Sequence, residues 1–369
     1  MKRKTQNILL LIFCIALTFA FYNFSTTNAQ TKPANSGQQQ TPAPTPPTIA
    51  TPPPLPVEDK DDIIKVDTEL VNLNVRVVDR NNRAINNLTQ ADFKVFEDNA
   101  LQPIEFFSKS EVPTNYSLVI DNSGSLRFQL EKVIEAGKII IGTNRPNDES
   151  SIVRFVSSDK IEIQQDFTSS KPDLFDALDN LYIEGGQTAI IDAVYLAAEK
   201  VDSYEKSRNP NDLKRRALIL VTDGEDRDSY YKEPQLYQFL HESDVQIFVI
   251  GFVNELSKEG GFISKSPQGK AKAFLERLAT ETGGKAYFPN NLSELNGIAQ
   301  DIASELRTQY SIGYSPTNKV QDNSFRNLKI VVADGANKEK RIAITRSGIT
   351  RSGNTNKPSL QNPNQKPKN

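Results

Sequence analysis

Tryptophan is absent from this sequence, and cysteine, histidine and methionine each occur once. Each scarcity excludes something. A structural zinc site takes about four cysteine or histidine ligands, and a disulfide takes two cysteines, so neither can be built. A serine–histidine–aspartate or cysteine–histidine mechanism would have to run through His241. No charge sign dominates: 44 basic side chains face 46 acidic ones, a formal charge of -2 over 369 residues. That is not the basic excess of a nucleic-acid binder. Chemistry is left to oxygen, from carboxylates, hydroxyls and backbone carbonyls.

The N-terminus has the pattern of an export signal. Lys2, Arg3 and Lys4 form a basic start, Ile8 to Phe21 an apolar stretch, and Thr27-Asn28-Ala29 a small-residue cleavage site before Gln30. At ~1.5 Å per residue the apolar stretch covers about 21 Å of helix, short of the ~30 Å hydrocarbon core of a membrane. Retention as an uncleaved anchor is the alternative. Cys14 follows the bulky Phe13, which argues against lipidation, and cleavage would leave a mature chain without cysteine. These features place the protein outside the cytoplasmic membrane: periplasmic, in the cell envelope or secreted. From 30 to 57, prolines scattered among Thr, Gln and Ala predict a polyproline-rich stalk. The Asn-, Ser-, Pro- and Lys-rich stretch at 349–369 predicts a disordered tail.

Between these ends the hydrophobic period changes twice. Val66 to Val78, Phe93 to Phe96 and Ile104 to Phe107 alternate as antiparallel strands, and Gln309 to Tyr314, Leu328 to Val332 and Arg341 to Thr345 repeat the pattern. Neither group has enough strands alone, so 63–110 and 308–348 are expected to form one discontinuous antiparallel β-sandwich. The insertion, 114–307, has continuous apolar runs at Leu118–Ile120, Ile152–Val156, Leu218–Val221 and Ile247–Ile250, separated by helical faces. That order predicts an α/β domain with a doubly wound, mostly parallel sheet.

Ligands in such sheets bind beyond the carboxyl ends of the strands. The first strand runs into Asp121-Asn122-Ser123-Gly124-Ser125, where alternate residues can converge and Gly124 eases the bend. Gly185-Gly186-Gln187-Thr188 opens a helix, and the third strand ends in Asp223-Gly224. Asp121, Ser123, Ser125, Thr188 and Asp223 would supply two carboxylates and three hydroxyls. Such hard donors suit Mg²⁺, with Mn²⁺ or Ca²⁺ as the other candidates, rather than zinc. Two carboxylates neutralise a divalent ion without exceeding its charge. An open coordination position would then draw in a carboxylate from outside.

These residues resemble a von Willebrand factor type A domain: Asp121-x-Ser123-x-Ser125, Thr188 and Asp223 match all five positions of that family's metal-ion-dependent adhesion motif. Val221-Thr222-Asp223-Gly224 and Gly185-Gly186-Gln187-Thr188-Ala189 are similar to it in local context. The wider chain, from Val66 to Gly348, resembles the secreted bacterial VWFA-related proteins. It shares the element Leu88-Thr89-x-x-Asp92-Phe93-x-Val95-x-Glu97-Asp98, then Thr282-Gly283-Gly284, then Tyr310-Ser311-Ile312-Gly313-Tyr314. One departure is Ile349 after Arg346-Ser347-Gly348, where relatives often carry tyrosine. The resemblance implies a protein-binding module whose partner offers an Asp or Glu carboxylate. No nucleic acid would be bound, and membrane contact would come only through an uncleaved signal.

A metal-assisted hydrolase or phosphoryl-transfer enzyme is the competing class, but the first loop lacks a second carboxylate and no general base lies nearby in sequence. An envelope assembly factor with one fixed partner would use the same site. Asp223, Asp226 and Asp228 read as a solvated acidic loop rather than a calcium loop. His241 reads as a surface residue at a helix end.

Overall fold

The computed structural model describes residues 70–109, 112–206, 214–259, 266–335 and 339–351. The segments expected to be an export signal and a stalk, and the residues after 351, lie outside them. Among the described residues no helix is long and apolar enough to cross a membrane.

The chain opens with β1 (Val71–Val78), β2 (Phe93–Glu97), β3 (Ala100–Gln102) and β4 (Ile104–Ser108). Asp98 and Asn99 take positive φ of 47° and 67° in the β2–β3 turn, a conformation these two residue types tolerate best after glycine. The α/β segment follows. It comprises β5 (Thr114–Asp121), α1 (Leu130–Gly142), β6 (Glu149–Phe155), β7 (Ile161–Thr168), α2 (Lys171–Asp179) and α3 (Ile190–Lys206). It continues through β8 (Arg215–Thr222), α4 (Glu233–Glu242), β9 (Gln246–Gly251), α5 (Pro267–Thr282), β10 (Ala286–Tyr287) and α6 (Leu295–Glu305). Then come β11 (Tyr310–Tyr314), β12 (Phe325–Val332), β13 (Ile342–Ile344) and β14 (Gly348–Thr350).

Two four-stranded antiparallel sheets, ordered β13-β1-β11-β4 and β14-β12-β2-β3, enclose one core. Leu73, Val75 and Val77 of β1 and Tyr310, Ile312 and Tyr314 of β11 meet Phe93, Val95, Leu328 and Ile349 from the other sheet. Each sheet joins strands from before and after the insertion, so the sandwich is discontinuous, as the strand count required. The expectation of a disordered stretch from 349 does not hold for its first residues. Residues 348–350 form β14 against β12, and Ile349 is buried in the sandwich core.

The central sheet has the order β10-β9-β8-β5-β6-β7 and is parallel except for β7 against β6. Alternation along β8 sends Leu218 and Leu220 to the core under α3, α4 and α5, and Ala217, Ile219 and Val221 to the core under α1 and α6. Helices on both faces explain the unbroken apolar runs. The chain starts at β5, builds β6 and β7 to one side, then returns to build β8, β9 and β10 on the other. The topological switch point therefore lies between the ends of β5 and β8.

The sequence motifs that flank the α/β segment organise the sandwich and its junction with this sheet. Glu97 and Arg326, both nearly inaccessible, pair at 2.8 Å, and Tyr314 donates to the other Glu97 oxygen at 2.6 Å. Asp92 accepts from both the backbone and the hydroxyl of Thr89. Tyr310 donates to the Ile85 carbonyl and accepts from the Leu88 amide. At the junction, Arg346 donates to the carbonyls of Leu240 and His241 at 3.1 and 2.9 Å, satisfying the end of α4. Gly283 ends α5 at φ 77°, and a Cβ there would come within 2.6 Å of the Arg346 nitrogen. His241 belongs to this junction as well, which corrects its reading as a surface residue. Its ring lies 4.5 Å from that of Phe325 and its Nε2 sits 3.2 Å from Glu281.

Candidate functional site

Four of the five predicted residues, Ser123, Ser125, Thr188 and Asp223, line one cavity of about 330 Å³, and the fifth, Asp121, is buried rather than among the lining residues. Asp121 closes β5. The register pairs Ile120 with Val221, so the next residues, Asp121 and Thr222, end neighbouring strands at the switch point. The Asp121 carboxylate is almost fully buried. One oxygen accepts from the Ser123 amide at 2.9 Å, and the other accepts from the Thr222 hydroxyl at 2.7 Å. Each carboxylate oxygen therefore keeps acceptor capacity. The hydroxyls of Ser123 and Ser125 lie 2.9 Å apart, which brings together the two serines the alternation predicted.

Burial is the main cause that pushes the Asp121 carboxyl up to about 6, and the negative charge of Asp223 adds to it. Hydrogen bonds from Ser123 and Thr222 oppose the rise without cancelling it. Asp121 is thus a buried carboxylate at the end of β5 within electrostatic reach of Asp223, which lines the cavity. The Asp223 oxygen that accepts from the Glu225 amide at 3.1 Å holds its loop in place.

Local structure departs from expectation in three places. Gly124 needs no special conformation, since a Cβ there would meet nothing within 4 Å; Gly224 is the demanding position, at φ 87°. Thr188 precedes the first residue of α3, Ile190, by two positions, and its carbonyl accepts from the amides of Arg227 and Asp228. The third is the Asp226–Asp228 segment, which is not a solvated acidic loop. Asp226 accepts from the Ile191 amide, so it caps α3. Asp228 accepts from the amide and hydroxyl of Ser158. Within α3, Asp192 accepts from the amides of Tyr230 and Tyr231. This clasp fastens the Asp223 loop to the Thr188 loop. Sequence reasoning missed it because the partners are far apart in the chain, and no local pattern marks Asp226 as the cap of a helix that starts at Ile190, 36 residues before it.

Among the described residues, no group of three or more His, Cys, Asp or Glu side chains is arranged to hold a metal ion. Any ion at the strand ends would depend on hydroxyls as well as carboxylates. All the donors there are hard oxygens, the chemistry suited to Mg²⁺, Mn²⁺ or Ca²⁺.

Residues 117–305, just over half of the chain, match the profile of the von Willebrand factor type A domain. The human inter-alpha-trypsin inhibitor heavy chain H4 is 24% identical over 238 residues, which is 60% of this chain and 23% of that protein. The chain therefore spans less than a quarter of the length of this curated relative. Similar solved structures include an aerotolerance-related membrane protein from Bacteroides fragilis, at 22% identity and a TM-score of 0.39. That match covers 52% of this chain and 98% of the other. Another is proximal thread matrix protein 1 from the mussel byssus, solved with a zinc-occupied MIDAS motif, at 22% identity and a TM-score of 0.40. It covers 58% of this chain and 50% of the other. By its match over residues 117–305, the chain belongs to the von Willebrand factor type A domain family.

Proposed function

We propose that this chain is an exported binding protein that captures a partner's Asp or Glu side chain through a divalent cation. Asp121, Ser123, Ser125, Thr188 and Asp223 would hold the ion, with Mg²⁺ the preferred species. The observation that carries this is the pair Asp121 and Asp223. Asp223 lines the cavity at the sheet switch point, and Asp121, buried at the end of β5, has its carboxyl pushed up by burial first and by the charge of Asp223 in addition. A divalent cation would reverse that repulsion. Five protein donors at most leave the six-coordinate preference of Mg²⁺ unfilled, which keeps a place for water or a partner carboxylate.

Binding is favoured over catalysis by what lines the cavity. No imidazole or thiol is among its lining residues, and Glu225, the other carboxylate there besides Asp223, is paired with Arg227. His241 is committed to the sandwich junction. A general base is therefore missing from the place where a hydrolytic water would be activated. Export follows from the signal pattern ending at Ala29, with 30–57 as a stalk carrying the folded part away from the envelope surface.

Immobilised protein should capture its partner from the envelope of the producing cell in Mg²⁺, and release it in chelator. Asp121→Ala should capture nothing in either condition. Equal, chelator-resistant capture by both proteins would put the binding surface elsewhere. Metal-dependent turnover of a phosphate or ester substrate, lost in Asp121→Ala, would establish the enzyme instead. N-terminal sequencing of the native protein should start at Gln30; recovery of residues 1–29 would show a retained anchor.

A further inference from the structure

The cavity lined by Ser123, Ser125, Thr188 and Asp223 also holds a cation. Arg227 lines it together with Thr188, Asp223 and Glu225. The backbone fixes this placement: the Arg227 amide donates to the Thr188 carbonyl at 2.8 Å, and the Glu225 amide donates to the Asp223 carboxylate at 3.1 Å. Both side chains are thus rooted one hydrogen bond from proposed metal ligands. Their heads are less confined. The Arg227 side chain is 62% exposed, and Nη2 pairs with Glu225. A guanidinium has five donors in a planar fork, so one contact with Glu225 leaves an edge able to take a carboxylate in bidentate fashion.

We propose that Arg227 is a second anchor for the partner, which presents two acidic side chains within two residues of each other; this rests on the metal-site reading above. One carboxylate goes to the metal and the other to the free edge of Arg227. Net charge draws in neither acid, so the second one is held by its directed contact with the guanidinium. A divalent ion cancels Asp121 and Asp223, and Arg227 cancels Glu225, so the loaded cavity is neutral. A lone carboxylate at the metal gains from the ion but is opposed by Glu225. A second carboxylate on Arg227 draws that cation toward the ligand. Glu225 therefore holds the guanidinium in place between binding events and lowers the affinity for single acids.

The test uses capped Gly/Ser hexapeptides carrying one Asp, adjacent Asp-Asp, or Asp-Gly-Asp, titrated calorimetrically into the whole protein with and without Mg²⁺. Wild type should bind one of the two-acid peptides ~5- to 10-fold more tightly than the one-acid peptide, the range expected of a charge-assisted but exposed contact. Arg227→Gln should lose that preference while its Mg²⁺ affinity stays level or rises, since a positive charge near the ion has gone. Glu225→Gln should bind all three peptides more tightly and keep the preference. Mg²⁺-dependent binding without a two-acid preference, or a preference that survives Arg227→Gln, would overturn the role of Arg227 and leave the metal site standing. Absence of any Mg²⁺-dependent binding, in a protein that also fails to bind Mg²⁺, would overturn both.

Discussion

The sandwich and the edge of the parallel sheet both bury charge, and they treat it in opposite ways. In the sandwich, Glu97 is matched: Arg326 takes one oxygen and Tyr314 the other, and Arg326 also donates to backbone carbonyls at Asn318 and Val320. At the sheet edge, Asp121 has a second carboxylate as its charged neighbour and a cavity beside it. A closed network of opposite charges defines a structure. A buried carboxylate with a like charge near it is what the proposed metal site would use, since the hydrogen bonds from Ser123 and Thr222 offset only part of the cost of its burial.

The sharpest break between the two regions is to separate them. Because each sandwich sheet needs strands from both sides of the insertion, residues 63–110 alone should remain unfolded, whereas 114–307 should fold by themselves. Circular dichroism and NMR dispersion of the two fragments check this, and a well-dispersed 63–110 fragment would refute the shared sandwich. Next in size is Arg326→Ala. It would strand a fully buried Glu97 and should cost about 3–5 kcal/mol in urea unfolding; a loss under about 1 kcal/mol would mean that Glu97 is not closed off as described.

A smaller loss is expected at the junction. Gly283→Ala forces a side chain into a left-handed position and against the Arg346 backbone, at a cost of about 1–3 kcal/mol. Differential scanning calorimetry should then show the sandwich and the α/β domain melting less cooperatively. The smallest effect is on pH. Burial lowers the pKa of His241 below 6.5, with Glu281 partly opposing. The folded protein resists this protonation more than the unfolded chain, so stability present above pH 6.5 should fall as the pH drops below it. His241→Gln should flatten that slope in thermal melts between pH 7 and 5; an unchanged slope would place its origin elsewhere.

The residues that repeat a strong local period were legible in the sequence. The apolar runs of β5, β6, β8 and β9 announced a sheet covered on both faces, and strand ends plus residue type singled out Asp121, Ser123, Ser125, Thr188 and Asp223 as the ligands now proposed. β7 escaped because it is the half-exposed outer strand, paired antiparallel with register shifts, and its alternation is weak. β14 escaped because three residues next to a polar tail carry no period. Arg346 and Gly283 were visible as motif letters, but their meaning lay in a contact between segments more than sixty residues apart. The same holds for the clasp made by Asp226 and Asp228.

The most direct test of the proposed metal site at the sheet edge compares wild type with Asp121→Asn by thermal unfolding, first in chelator and then in Mg²⁺. In chelator the substitution removes a buried negative charge while keeping a side-chain acceptor, so the mutant should be at least as stable as wild type. In Mg²⁺ at a hundredfold excess over its dissociation constant, wild type should gain about 2.7 kcal/mol and overtake a mutant that does not respond. A mutant destabilised in chelator, together with a wild type indifferent to Mg²⁺, would mean that Asp121 is one more closed structural group, and would contradict the site.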